Sequence, residues 1–275
     1  MISTQRIQAN GIELSVATAG QGPAVILVHG FPHTWQIWEP IIPALAERYT
    51  VVAPDLRGMG ASERPETGYT AMDVTQDLVG LMDALDLATA DVVGIDLGTP
   101  PTFLLALTRP ERVRKLVVME SLIGRLPGAE DFLRGGPPWW FAFHAVPGLA
   151  ESVLAGNETD YIDFFLRTGT GGDGVSPGFR DAVHVAYNSP EALRAAFEHY
   201  RAFPVSGQQI ALAVSESRLK VPTFAIGAAP VGDALHRQLE PIADTLSGVV
   251  LENCGHIIPQ HRPQLLLDAL NGFLA

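Results

Sequence analysis

The segment Gly94-Ile95-Asp96-Leu97-Gly98 closes an apolar run with glycines two positions before and two after an aspartate. Small residues at those places let a strand turn sharply into a helix and hold the central side chain proud of the backbone, which is how a fold presents a nucleophile. The presented group here is a carboxylate, which can attack an electrophilic carbon and form an alkyl ester. An ordinary acidic turn has the same spacing, so the segment needs partners before it carries chemistry. His29-Gly30-Phe31-Pro32 ends a second apolar run, where Phe31 can offer a backbone N–H and Pro32 cannot. Asn253-Cys254-Gly255-His256 lies between the last strand-like run and the last helical one. Of the eight histidines, only His256 stands where a base reaching the carboxyl edge of a parallel sheet must stand; His29 is expected to brace its own loop. A base also needs an orienting carboxylate. The residues leave two, Glu120 at the end of the run Val117-Val118-Met119, and Asp233 at an apparent helix start, where it would serve as an N-cap. An acid that ends a buried apolar strand requires a partner, and this favours Glu120.

The elements that must position these groups alternate between short β-branched runs and longer helical patterns, as in a parallel sheet with crossover helices. Strands are expected at Ala24–His29, Tyr49–Pro54, Asp91–Ile95, Arg114–Met119, Val221–Ile226 and Gly248–Leu251, with an alternating lead-in at Ile12–Ala17. Helices are expected at Ile41–Arg48, Ala71–Leu87, around Phe103–Leu107, at Asp233–Leu246 and at Pro263–Phe273. From Gly124 to Ser206 the strand rhythm stops and aromatic residues become dense, among them Trp139, Trp140, Phe143, Tyr161 and Tyr200. The reading is an α/β core formed by residues 1–123 and 207–275, interrupted at 124–206 by a helical cap of about 80 residues.

Composition narrows the function. A chain of 275 residues with 47% hydrophobic and 17% charged residues folds around a sizeable core. A net charge of −12 disfavours a nucleic-acid or anionic-membrane surface. Cys254 is the only cysteine, so no internal disulfide forms; it is expected to be a packing residue in a reducing, cytoplasmic setting. The first ten residues lack the apolar stretch of a secretory signal, and no apolar run is long enough to span a bilayer. No metal-ligand spacing is present: His256-x4-His261 lacks further ligands and there is no HExxH.

The chain resembles epoxide hydrolases of the α/β-hydrolase superfamily, in the bacterial group typified by the cystic-fibrosis channel inhibitory factor, with haloalkane dehalogenases as near relatives. The matching pieces are HGFPHTWQIW, APDLRGMGAS, VVGIDLG, VVMESLIGRLPG, WWFAF, FEHYRAF and ENCGHIIP, spread over nearly the whole chain. The resemblance implies an α/β-hydrolase fold with a mostly parallel sheet and an inserted helical lid. It implies Asp96 as nucleophile, His256 as base, Glu120 as its acid, and Tyr200 as the lid phenol on the epoxide oxygen. It further implies an oxyanion hole from the N–H groups of Phe31 and Leu97. The second ring-opening donor of this group is a histidine or tyrosine, whereas the matching position holds Trp140, an N–H donor that gives up no proton. Two roles stay open for Trp140, epoxide orientation and lid packing. Trp139, Trp140, Phe143 and Phe31 are expected to line space for a bulky apolar or aromatic epoxide, with no cofactor and no metal. The partners expected are that small molecule and at most a second copy of the chain as a homodimer.

Two other readings remain. A haloalkane or haloacid dehalogenase would use the same aspartate. However, Leu97 stands where haloalkane dehalogenases resemble one another in having Trp, Phe31 replaces their halide-binding Asn, and no arginine stands at Leu97 or Pro100 to hold a haloacid carboxylate. A ligand-binding module on the same fold is the reading from another class, and it is disfavoured by the complete set of reactive groups.

Overall fold

A computed structural model describes residues Met1–Ala275. Eight strands form one sheet in the order β1-β2-β4-β3-β5-β6-β7-β8. They are β1 (Ser3–Ala9), β2 (Ile12–Ala19), β3 (Ala24–Val28), β4 (Thr50–Pro54), β5 (Ala90–Ile95), β6 (Val113–Met119), β7 (Thr223–Gly227) and β8 (Leu246–Val250). β1 pairs with β2 and β2 with β4 in antiparallel fashion, and every later pair is parallel. β5 is central, with Val93 opposite Leu27 on one side and Val117 on the other. Every residue of β3 and β5 is buried, as continuous apolar runs require when both faces of a sheet are covered.

Twelve α-helices complete the chain. α1 (Ile42–Leu45), α2 (Ala71–Ala84) and α3 (Thr99–Thr108) lie between core strands. α4 (Trp139–Ala145), α5 (Leu149–Leu154), α6 (Glu158–Thr168), α7 (Pro177–Ala186), α8 (Pro190–Arg201) and α9 (Phe203–Glu216) fall together between β6 and β7. α10 (Ala234–Leu239), α11 (Ile258–His261) and α12 (Pro263–Leu274) follow. No helix is long and apolar enough to cross a membrane.

Two expected boundaries move. The helix expected over Asp233–Leu246 stops at Leu239, because Pro241 cannot continue the hydrogen-bond ladder, and Leu246 opens β8, the exposed edge strand. α9 crosses the expected end of the insertion at Ser206, for a reason found at the start of α2. There Thr70 and Asp73 form a capping box, while Ser206 Oγ accepts the Ala71 N–H at 2.9 Å and Gln209 Oε1 accepts the Met72 N–H at 3.2 Å. The first N–H groups of α2, which no helix can satisfy internally, are thus capped partly by α9. The insertion is thereby tied to the core.

Candidate active site

Asp96 stands at the sharp turn between β5 and α3 with φ +53°, a left-handed conformation that non-glycine residues adopt at a cost of about 1–3 kcal/mol. The crowding around it explains the glycines. A β-carbon on Gly98 would come within 2.4 Å of the Val28 carbonyl oxygen, and one on Gly30 within 2.1 Å of Asp96 Oδ1. That close approach lets the Phe31 N–H donate to Asp96 Oδ1 at 2.7 Å; the Leu97 N–H also faces the carboxylate. His29 braces this loop as expected. Its Nδ1–H donates to Gly30 O at 2.8 Å and its Nε2 accepts the Leu56 N–H at 3.1 Å.

The second carboxylate oxygen, Asp96 Oδ2, faces His256 Nε2 at 3.3 Å, and His256 Nδ1 faces Glu120 Oε2 at 3.2 Å. Glu120 follows β6 directly and also has positive φ, +43°. Its carboxyl group is wholly buried, and Oε1 accepts the Ala228 N–H from the end of β7. Asp233 is elsewhere. Its side chain is 60% exposed, makes no cap bond, and pairs with Arg237 at 3.1 Å. The expected N-cap is therefore corrected: φ −92°, ψ 3° at Asp233 is not the extended backbone that aims a capping side chain back at the helix.

Charge is arranged along this row. Burial alone would lift the Asp96 carboxyl, but hydrogen bonding to and charge on His256, helped by the Leu97 N–H, hold it below the ordinary carboxylate range. For His256 burial opposes protonation, yet the two flanking carboxylates outweigh it and push the imidazole up to about 10. At neutral pH the unreacted site is a carboxylate–imidazolium pair. Cys254, two residues before His256, is buried, and burial together with Glu120 lifts its thiol to about 11. It stays a thiol, as a packing residue should.

A cavity of about 1140 Å³ opens above Asp96 between the sheet edge and the helices of the insertion. Asp96, Leu97 and His256 form its floor, while Phe31, Trp140 and Tyr200 stand on its walls. Tyr200 is 3% exposed; burial, with the Asp96 carboxylate adding to it, drives its phenol well above the ordinary value, so it remains a proton donor. Phe31 is ringed edge-on by His144, Phe165, Tyr187, Phe197 and Tyr200 at 5.4–5.8 Å. Trp139 and Phe143 correct the expectation of substrate contact. Neither lines the cavity; Trp139 is 54% exposed and packs on Phe143, Tyr161 and Phe164. Consecutive residues on a helix point about 100° apart, which sends Trp140 inward and its neighbour outward.

Two histidines that the sequence reading did not single out belong to the surroundings. His33, two residues after Phe31, lines the cavity fully buried, its ring 6.2 Å from that of His256, and neither ring nitrogen has a protein partner. Burial lowers its pKa to about 3 and keeps it neutral. His144 stacks on Phe197 at 4.0 Å, meets the edge of Tyr200 at 4.4 Å and shares a 2.5 Å hydrogen bond with Tyr161. Its place in the helical stretch WWFAFH was visible; the face it occupies was not.

Comparisons with known proteins agree with this architecture. A family model for the alpha/beta hydrolase fold matches residues 23–177. A soluble epoxide hydrolase from Corynebacterium sp. (strain C12) is 29% identical, covering 100% of this chain and 98% of that protein. The solved structure of the epoxide hydrolase CorEH superposes with a TM-score of 0.90 at 27% identity, covering 100% of this chain and 99% of the other. The Cif epoxide hydrolase of Acinetobacter nosocomialis, at 24% identity and covering 100% and 89% of the two chains, shares the fold with a TM-score of 0.91. Dehalogenases are also similar, among them a fluoroacetate dehalogenase of Burkholderia sp., 28% identical over 71% of this chain and 67% of its own length. With its mostly parallel eight-stranded sheet, its nucleophile-type turn after β5 and a family match over more than half its length, the chain belongs to the α/β-hydrolase fold family.

Proposed function

We propose that the protein is an epoxide hydrolase that works through a covalent ester on Asp96, with Glu120 and His256 completing a triad. The observation that carries this reading is the division of labour within one carboxylate. Oδ1 is held by a backbone N–H at 2.7 Å, while Oδ2 faces the base and the cavity. Oδ2 attacks an epoxide carbon and the carbon–oxygen bond of the ring breaks. Tyr200 donates its proton to the departing oxygen, and the Trp140 N–H orients that oxygen. The ester carbonyl is then Oδ1, already lying at the N–H groups of Phe31 and Leu97.

Ester formation removes the charge of Asp96, which is one of the two causes holding His256 protonated. The imidazolium can then give up its proton, which restores the Tyr200 phenol by way of the cavity, and act as a base. It takes a proton from a water that adds to the Asp96 carboxyl carbon, and the neutral His33 ring offers nitrogens to hold that water. The oxyanion forms on Oδ1, where each N–H donor contributes about 10²–10³-fold. Collapse breaks the Cγ–Oδ2 bond as His256 returns its proton to Oδ2, so the vicinal diol leaves with the enzyme's former oxygen; the water oxygen stays in Asp96, whose remaining proton passes to His256 and restores the ion pair. The apolar cavity walls favour a bulky apolar or aromatic epoxide. No cofactor takes part. The dehalogenase reading is disfavoured because Leu97 and Phe31 offer a halide no side-chain N–H and no arginine follows Asp96 in the turn; the arginine that lines the cavity is Arg125, after β6.

Incubation with excess enzyme and styrene oxide in oxygen-18 water tests the proposal. The expected result is an unlabelled diol from the first turnover and label in the peptide containing Asp96. Label in the first-turnover diol instead means direct attack by water and overturns the covalent route. Turnover of haloalkanes or haloacids with none of epoxides moves the assignment to a dehalogenase.

A further inference from the structure

His261 takes no part in the chemistry above, yet both of its ring nitrogens are committed. It ends α11, five residues after His256, with a side chain only 6% exposed. Nδ1 accepts the N–H of Gly255 at 2.7 Å, and Nε2 lies 2.9 Å from Asp173 Oδ2. A backbone N–H can only donate, so Nδ1 must carry the lone pair and Nε2 the proton. Asp173, in the α6–α7 loop of the insertion and also paired with Arg262 at 3.1 Å, can only accept as a carboxylate. The two partners select one and the same tautomer.

The residue on the other side of His256 is held from the insertion as well. The Ile257 N–H donates to Gly169 O at 2.9 Å. Gly255 lies so close to the end of α6 that a β-carbon there would come within 2.5 Å of Gly169 O. The backbone on either side of the base is thus fastened to the insertion, directly through Gly169 and indirectly through His261 and Asp173. Glu120 orients the His256 ring, but it cannot set where the backbone under that ring sits.

We infer that His261 is a positioning residue that fixes the loop bearing His256 relative to the insertion through a single imidazole tautomer. This deepens the proposed function and rests on it, because the step it serves is hydrolysis of the Asp96 ester. Alkylation, carried by Asp96 and the lid donors, is expected to be insensitive to it.

The two nitrogens can be separated by substitution. His261→Asn keeps an acceptor at the Nδ1 position and loses the reach to Asp173, whereas His261→Gln keeps the reach and loses the acceptor. Single-turnover mixing with styrene oxide, quenched and read by mass spectrometry, gives formation and decay of the Asp96 ester separately. Each variant cuts one half of the bridge, so both should slow decay about tenfold with formation within about twofold of wild type. Nitrogen-15 spectra of wild-type protein, with His261 assigned by its loss in His261→Asn, should show Nε2 protonated and Nδ1 bare. Equal slowing of both steps in either variant, wild-type decay in either variant, or the opposite tautomer overturns the inference. Absence of any ester in wild-type protein overturns the proposed function instead, and the tautomer still decides whether the bridge exists.

Discussion

Glu120 and His256, 136 positions apart in the chain, meet at 3.2 Å through Oε2 and Nδ1. The other Glu120 oxygen is tied to the Ala228 N–H. That second bond prevents the carboxylate from swinging away and satisfies an acid that is otherwise fully buried. The imidazole is thereby held with Nδ1 toward Glu120 and Nε2 toward Asp96. Glu120→Gln leaves the shape intact but presents either an amide that cannot stabilise imidazolium or the wrong tautomer, and should lower turnover by about 10³–10⁴-fold. Asp233→Asn should leave kcat unchanged and remove only an exposed i,i+4 pair, with little change in the melting temperature. Steady-state kinetics with thermal melts on both variants check the ranking, and a reversed order would move the acid to Asp233.

On the proposed route the two steps divide between Asp96 and His256. Asp96→Asn should abolish turnover with no adduct, while His256→Gln should accumulate one equivalent of alkyl ester on Asp96. Intact-protein mass spectrometry after addition of styrene oxide reads both outcomes. An adduct on another residue, or sustained turnover without His256, contradicts the division.

The lid donors differ in what they can give. Tyr200→Phe should slow ester formation while leaving decay of a preformed ester nearly unchanged, because the phenol supplies the proton. Trp140→Phe should cost less, about 0.5–1.5 kcal/mol in the same step, as a neutral N–H bond does. Trp139→Ala, on the outer face of the same helix, should change neither step. Single-turnover kinetics on one epoxide decide among the three, and wild-type alkylation in Tyr200→Phe would remove the proposed acid.

The ion pair in the floor also sets a pH dependence of stability. His256 is raised above its ordinary value to about 10. Its contribution is therefore fully present below the unfolded-state pKa of about 6.5 and is lost as pH climbs through the folded value. Asp96→Asn removes the leading cause of the raised value. Denaturant melts should show wild type losing more stability between pH 7 and pH 10 than Asp96→Asn does. Parallel curves would mean that the pair carries no such linkage.

Much of this molecule is legible from residues close in the chain. The Gly94-x-Asp96-x-Gly98 turn, the apolar runs of β3 to β6 and their order along the chain depend on local backbone sterics and on burial patterns that adjacent residues carry themselves. The position of Glu120 at the end of β6 was readable for the same reason, because a lone acid closing a buried strand needs a partner. Its partnership with His256 was an inference, and the distance between them is a property of the folded sheet, in which strands far apart in sequence become neighbours. Which lid aromatics face the cavity was decided only by tertiary packing. Trp139, Trp140, Phe143 and His144 share one helix, and identical chemistry on a helix points in different directions every 100°. The register of α4 against α6 and α8 places Trp140 over the floor, leaves Trp139 outside and wedges His144 between Phe197 and Tyr200. The burial that empties His33 of protein partners, and the bridge His261 makes between two loops, likewise arise from contacts that no single stretch of sequence contains.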